Sequence, residues 1–323
     1  IIKLIEIGDY MKDRFGRNIT YLRISVTDLC NLRCKYCMPE SGVESLCHSD
    51  ILSIEEIVEI VKIASKNGIK KIRLTGGEPL VRRGFINLCK EISKIDKIED
   101  IAITTNGVHL KAMADELFEN KVRRINFSLD TLVKEKYNDI TRRNDFDKAM
   151  ESLFYAIEKG FKVKLNVVLI GGFNDDEIEN FVNLTKDYDI EVRFIELMQI
   201  GESANWSKDK FISNKIVLEK VPELEFDGVS GVAKIYKIKG YKGKVGLISP
   251  ISCSFCEDCN RIRLTSDGKL KPCLHSRDEI NLKGLSGKEL EEIFKKGIYE
   301  KPEKHHLEDG KSESTRDMNK IGG

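Results

Sequence analysis

With 323 residues, 41% hydrophobic and 33% charged, the chain is long enough to bury one large core or two ordinary ones, and it reads as a soluble globular protein. A formal net charge of +1 excludes the long-range field of a nucleic-acid or anionic-membrane binder, so any bound anion must meet a local cluster of Lys and Arg. No apolar run approaches the roughly 20 residues of a membrane span, and the opening IIKLIEIGDYMKDR is broken by charges too early for a signal peptide; the expected location is the cytoplasm.

In chain order, YLRISV predicts a strand that runs into the loop CNLRCKYC. There Cys30, Cys34 and Cys37 stand at spacings of three and two intervening residues. SIEEIVEIVKIASKNG repeats its apolar residues at helical spacing and ends on Gly68, and KKIRLT follows as a strand. The same rhythm recurs in FINLCKEISK then DIAITT, KAMADELFEN then RINFSL, FDKAMESLFYAIEKG then KVKLNVVL, and DDEIENFVNLTKDY then IEVRFIEL. Strands separated by helices predict a parallel sheet with right-handed crossovers, an open doubly wound sheet or a barrel, and six units fall short of the full eightfold barrel.

Unusual residues gather after the strands. Thr27, Asp28 and the cysteine loop follow the first; TGGEP ends the second, TTNG the third and SLD the fourth; Asn166 lies in the fifth and Glu196 ends the sixth. Active sites of barrels and open parallel sheets lie at the carboxyl ends of strands, so these segments are expected to share one rim. After about residue 200 the pattern changes. VAKIYKIKG and GKVGLI read as strands, and Asp267-Gly268 between RIRL and KLKPCL reads as a hairpin that returns Cys273 to the loop of Cys256 and Cys259, with Cys253 a poorer fourth ligand.

Nine cysteines without an export signal argue for metal ligation over disulfides, although the isolated Cys47 and Cys89 read as ordinary small side chains. Thiolate sets on short loops suit zinc or an iron–sulfur cluster. Zinc would want a fourth ligand, for which His48 is the near candidate of the first set, whereas a [4Fe–4S] cluster on three Cys leaves one iron open. Tyr36, inside the loop, is placed to offer an aromatic face to a bound group.

The Cys-x-x-x-Cys-x-x-Cys loop after the first strand and Gly-Gly-Glu-Pro after the second resemble the pattern of radical S-adenosylmethionine enzymes. FGRNITYLRISVTD, KKIRLTGGEPLVRR, TTNG, RRINFSLD, VKLNVV, EVRFIELM, FCEDCNRIRLTSDGKLKPCL and the terminal IGG are similar, in order, to segments of the GTP 3',8-cyclases of molybdenum cofactor biosynthesis. The resemblance runs from Met11 to Gly323, leaves residues 1–10 as an extension, and departs at Leu29, where that family usually carries Arg.

That resemblance implies a radical lyase built as an α/β fold: a partial (β/α)6 TIM-type barrel over residues 11–225, and a C-terminal cluster-bearing region over 226–323 closing the barrel mouth. It implies one [4Fe–4S] cluster on Cys30, Cys34 and Cys37 with S-adenosylmethionine on its open iron, contacted by Tyr36, Gly77, Ser128 and Met198. A second [4Fe–4S] cluster on Cys256, Cys259 and Cys273 would face the guanine. Arg23, Arg73, Thr104, Lys164, Arg261 and Arg263, with Lys71 and Arg193, would bind GTP, whose triphosphate needs several forked cations. The implied reaction is abstraction of hydrogen from C3' of GTP by a 5'-deoxyadenosyl radical, followed by attack of C3' on guanine C8 to give 3',8-cyclo-7,8-dihydro-GTP. A reductant or electron-donor protein, a downstream cyclic pyranopterin monophosphate synthase and a homodimer partner complete the implied picture.

The stretch from Lys301 to Arg316 is charged enough to read as a solvated tail, but the resemblance places Gly322 and Gly323 near the barrel mouth as participants in catalysis. Two rival readings set the discriminating observations. A peptide-modifying radical enzyme with an auxiliary-cluster domain typically has about seven downstream cysteines, more than this chain has, and a non-catalytic zinc module leaves the rim motifs and cations without purpose.

Overall fold

The computed structural model describes residues 12–43, 46–47, 49–251, 256–304, 312–314 and 316–321. His48, Cys253, residues 1–10, Gly322 and Gly323 therefore lie outside the described residues.

Six strand–helix units appear in the expected order. The strands are β1 (Tyr21–Ser25), β2 (Lys71–Thr75), β3 (Asp100–Thr105), β4 (Val122–Ser128), β5 (Lys162–Leu169) and β6 (Glu191–Glu196). Between them run α1 (Ile54–Lys66), α2 (Phe85–Ser93), α3 (Leu110–Glu119), α4 (Lys134–Thr141), α5 (Phe146–Glu158) and α6 (Ile178–Asp187). α1 shows why its segment folds. Ser53 caps the Glu56 N–H while Glu56 returns a hydrogen bond to the Ser53 N–H, and Ile57, Ile60, Val61 and Ala64 form the buried stripe.

The rest of the chain, α7 (Lys215–Lys220), β7 (Glu225–Ser230), β8 (Ala233–Lys237), β9 (Lys244–Ile248), β10 (Arg261–Leu264), β11 (Lys269–Lys271), β12 (Ile280–Asn281) and α8 (Gly287–Tyr299), extends the same sheet. The order is β12-β11-β10-β1-β2-β3-β4-β5-β6-β9-β8-β7, an open sheet with β12 and β7 at its edges. β10 joins β1 and β9 joins β6, both parallel, so one strand from beyond residue 225 flanks each side of the six-stranded array. The hairpin expected at Asp267-Gly268 forms: β10 and β11 pair antiparallel, and Gly268 takes φ +79.

The two faces of the sheet differ. Leu22 and Ile24, Ile72 and Leu74, Ile101 and Ile103, Ile125 and Phe127, Val192 and Phe194, and Ile262 and Leu264 are buried in one continuous core. Alternate positions on the same strands carry Arg23, Arg73, Thr104, Arg124, Lys164, Arg193 and Arg263. A parallel strand buried apolar-to-apolar on both faces reads as a continuous hydrophobic run; here the polar and charged residues at alternate positions leave the inner face largely polar and cationic, with Ala102, Val168 and Ile195 as apolar interruptions. Among the described residues, no helix is long and apolar enough to cross a membrane.

Candidate active site between two cysteine sets

Cys30, Cys34 and Cys37 sit on the loop after β1, each partly buried and unbridged. The Leu32 N–H reaches Cys30 Sγ at 3.4 Å, and Asn106 Nδ2 lies 3.9 Å from the same sulfur. α4 fixes the loop from outside: Arg33 N–H donates to Thr141 O and Lys35 N–H to Ile140 O, both at 2.9 Å. Arg142, left-handed at φ 54, then donates from Nη1 to Arg33 O at 2.9 Å. Burial pushes the Cys30 thiol up to about 11, with Glu78 adding to the rise. Burial, and then Cys30, push Cys37 up to about 12, and Cys34 is raised by burial and by Cys37. Three soft sulfurs whose thiols are all raised, chiefly by burial, in one loop fit a group that binds thiolates and carries the compensating positive charge.

The strand ends gather around this loop. Gly77 N–H donates to Thr27 O and Glu78 N–H to Leu29 O, both at 2.8 Å, so the Gly-Gly turn docks on the segment leading into the cysteines. A Cβ at Gly77 would collide with the Leu29 carbonyl, so the close approach that requires glycine here is to the chain's own backbone. Glu78, 1% exposed, accepts from Thr105 Oγ1 and Asn106 N, both at 2.7 Å, and ties the second rim segment to the third. Its burial raises the carboxyl to about 7. Tyr36 donates its hydroxyl to Asp130 Oδ2 at 2.7 Å while its ring packs near Ile140, Ile170 and Leu197. Ser128 ends β4, and Met198 lies two residues beyond the end of β6, on the same rim.

The second set lies at the other end of the strands. Cys259 stands two residues before Arg261, which is level with Tyr21 at the start of β1, whereas Cys30 stands five residues beyond Ser25 at its end. The second cysteine set therefore sits toward the amino ends of the strands, while the tail of the same region reaches the opposite rim, with Asn319 Nδ2 donating to Asp28 O at 3.5 Å. The cationic inner face lies between the sets, spanned by a five-residue strand of roughly 16 Å. Cys256 and Cys259 share a tight turn, Cys259 N–H to Cys256 O at 3.1 Å, and the hairpin returns Cys273 to the same end of β10. Burial alone would raise the Cys259 thiol, but Lys301 and then Arg261 draw it down to about 7, the opposite of the first set. Among the described residues, no three His, Cys, Asp or Glu side chains close on one point to hold a single metal ion.

Between the sets, Arg263, Arg23 and Arg73 are level with one another on three adjacent parallel strands. Arg73 and Arg263 are 9% and 8% exposed. Burial and the neighbouring Arg73 lower Arg23 to about 9, and burial lowers Arg73 to about 10. Nε of Arg23, Nε of Arg73, Oγ1 of Thr104 and the Tyr21 hydroxyl are buried without a hydrogen-bond partner. Tyr21 places its ring under both guanidiniums, 5.9 Å from Arg23 and 5.5 Å from Arg73. Further round, Glu191 balances Lys164 at 2.8 Å and pairs with Arg193; against the burial that would raise it, these two hold its carboxyl low. Lys71 is exposed at the amino end of β2, two residues below Arg73. Arg261 is half-buried.

Several residues that take part escaped the sequence reading. Arg124 adds a cation and pairs with Asp100; its alternation with Asn126 and Ser128 was an available signal. Asp130, raised to about 6 by burial, anchors Tyr36 and accepts from Val168 N at 2.9 Å. The supposed solvated tail is anchored at both of its described ends. Lys301 is 2% exposed, and Arg316 forms paired hydrogen bonds with Asp267 and Glu279. Beyond it the chain runs to Ile321, which is fully buried.

Residues 24–185 match the Radical SAM superfamily model, and residues 190–307 match Molybdenum Cofactor Synthesis C. The GTP 3',8-cyclase of Alkaliphilus metalliredigens (strain QYMF) is 53% identical, covering 97% of this chain and 100% of the relative. This chain belongs to the GTP 3',8-cyclase family of the radical SAM superfamily. The family's enzyme from Clostridium perfringens (strain 13 / Type A) is 47% identical over 97% of this chain and 100% of its own length. In fold, the chain is similar to Streptococcus suis SuiB bound to S-adenosylmethionine, at TM-score 0.62 and 16% identity, covering 89% of this chain and 68% of that one. Two family segments thus meet between β5 and β6, yet the sheet runs through both without a break.

Proposed function

We propose that this chain converts GTP to 3',8-cyclo-7,8-dihydro-GTP, the first step of molybdenum cofactor biosynthesis. The observation that carries the reading is the in-register row Arg263, Arg23 and Arg73, two of them with a buried, unpartnered Nε, held between two cysteine sets. Buried cations repel one another and lose hydration, so a site that concentrates them is built for an anion that restores both terms. A triphosphate does so through charge-assisted, forked hydrogen bonds.

In this reading Cys30, Cys34 and Cys37 hold one [4Fe–4S] cluster, and Tyr36, Gly77, Ser128 and Met198 line the place of S-adenosylmethionine. Cys256, Cys259 and Cys273 hold a second cluster against the guanine. When bound, the first cluster and S-adenosylmethionine supply the one-electron chemistry that starts the reaction at C3'. The chain's own residues supply position and dryness. Arg23, Arg73, Arg261 and Arg263 take the phosphates; Thr104, Lys164, Arg193 and the more exposed Lys71 border the same face. Gly322 and Gly323 assist at the mouth.

The work divides between a barrel part over residues 11–225 and a substrate-holding part over 226–323, with residues 1–10 outside both. A cytoplasmic electron donor, a homodimer partner and a cyclic pyranopterin monophosphate synthase that takes the product complete the proposal. Metal analysis after anaerobic reconstitution tests it: about eight irons per chain are expected for two cubanes. Tight zinc with no iron would end the reading.

A further inference from the structure

Lys301 follows α8 and is 2% exposed, an unusual place for an ammonium. Its Nζ donates to the carbonyl of Pro272, the residue before Cys273, at 2.7 Å, and its charge lies beside Cys259. One side chain therefore stands beside one member of the second cysteine set and holds the immediate neighbour of another. Among the described residues neither Asp nor Glu pairs with it. A buried ammonium without a carboxylate needs another source of negative charge, and the sulfurs beside it are the available one.

The chain around Lys301 is locked by Arg17. Its Nη2 donates to Pro302 O at 2.6 Å, its Nη1 to Glu303 O at 2.7 Å and to Cys256 O at 2.8 Å, while Nε is held by Asp13 at 2.6 Å. Arg17 thus fixes the third member of the set to the segment that delivers Lys301. The two residues lie 284 positions apart in sequence, from Lys301 back to Arg17, and hold different parts of one cysteine set.

We propose that Lys301 is the positioning residue of the second cluster, raising its reduction potential while holding Cys259 and the Pro272–Cys273 turn in place; this rests on reading that set as an iron–sulfur site. The physical basis is charge. One-electron reduction makes a cluster more negative, and a fixed ammonium beside a ligand sulfur stabilises the reduced form more than the oxidised one.

The test is a redox titration of the cluster-loaded full chain followed by electron paramagnetic resonance, with dithionite as reductant. The second cluster is read from the signal that shifts with added GTP, the first from the signal that shifts with S-adenosylmethionine. Lys301→Met is expected to lower the second midpoint by at least about 59 mV, a tenfold change in a one-electron equilibrium, and to leave the first unchanged. Lys301→Arg, which keeps the charge, is expected to restore most of the loss. If the Met variant takes up no second cluster, Lys301→Gln is titrated in its place and must show the same direction of shift. An unchanged second midpoint at full iron occupancy overturns the role of Lys301. A parent chain with about four irons and a single signal overturns the iron–sulfur reading of the second set itself.

Discussion

Arg263 Nη1 donates to the carbonyl of Ile321 at 3.1 Å, joining the cationic inner face to the last described residue of the chain. Ile321 is fully buried, Asn319 is 2% exposed, and a short 3-10 turn over Met318–Lys320 carries the chain inward. Gly322 and Gly323 follow directly. Deleting them, or appending one residue, is expected to suppress cyclisation while both clusters persist. Arg316→Ala should act the same way, because it removes the ties to Asp267 and Glu279 that deliver the tail. Product yield at matched iron content checks this; full activity in all three variants would leave the anchored tail without a part in cyclisation.

Arg73 is held at a cost in the nucleotide-free protein. With Nε unpartnered and Arg23 on the adjacent strand, Arg73→Met is expected to stabilise the GTP-free chain by about 1 to 3 kcal/mol. The same change should weaken GTP binding by roughly one to two decades, the worth of a charge-assisted hydrogen bond. Anaerobic thermal unfolding and equilibrium binding measure the two effects; a variant that is less stable and binds GTP normally contradicts the assignment.

The two cysteine sets divide the work. Cys34→Ala should abolish reductive cleavage of S-adenosylmethionine, whereas Cys259→Ala should keep some uncoupled cleavage and lose the cyclised nucleotide. Counting both products for each variant decides it, and equal loss of cleavage with the first cluster intact in Cys259→Ala would refute the division.

Glu78 gives the fold a pH dependence. Its carboxyl stands at about 7 in the folded chain against an ordinary 4.5, so the folded state holds more proton than the unfolded state between these values. Its contribution is fully present below about 4.5 and falls as pH rises to about 7, by about 3 kcal/mol in all. Glu78→Gln cannot ionise and lacks this slope. Denaturant unfolding of parent and variant at pH 5 and pH 8 should show the parent's advantage shrinking, whatever constant offset the lost hydrogen bonds add; a gap that widens with pH is the contrary result.

What could be read from the sequence was local. The β1–β6 strands declare themselves as short apolar-rich runs between helical segments, and α1 because Ser53 and Glu56 form a capping box at the head of an apolar stripe. α8 carried a signal that went unread, Leu290, Ile293, Phe294 and Ile298 at helical spacing. β7 carried little, since Phe226 and Val229 are exposed on an edge strand. The placement of β10 beside β1, and of β9 beside β6, is a long-range pairing that no local pattern encodes.

The site divides in the same way. Cysteine spacing marks its ligands, but Lys301 lies in YEKPEKHH, a run whose composition predicts solvent exposure. Its burial depends on the Pro272 carbonyl, which is distant in sequence. Arg17 is similarly opaque, because its long-range partners are backbone carbonyls, which every residue possesses.

The central claim is that this inner face holds GTP for cyclisation. Anaerobic incubation of the loaded chain with S-adenosylmethionine, reductant and each of the four nucleoside triphosphates in turn, followed by mass analysis of the nucleotides, tests it most directly. The account predicts a 3',8-cyclised product from GTP and none from the other three; a cyclised product from ATP or CTP alone, with GTP returned unchanged, would contradict it.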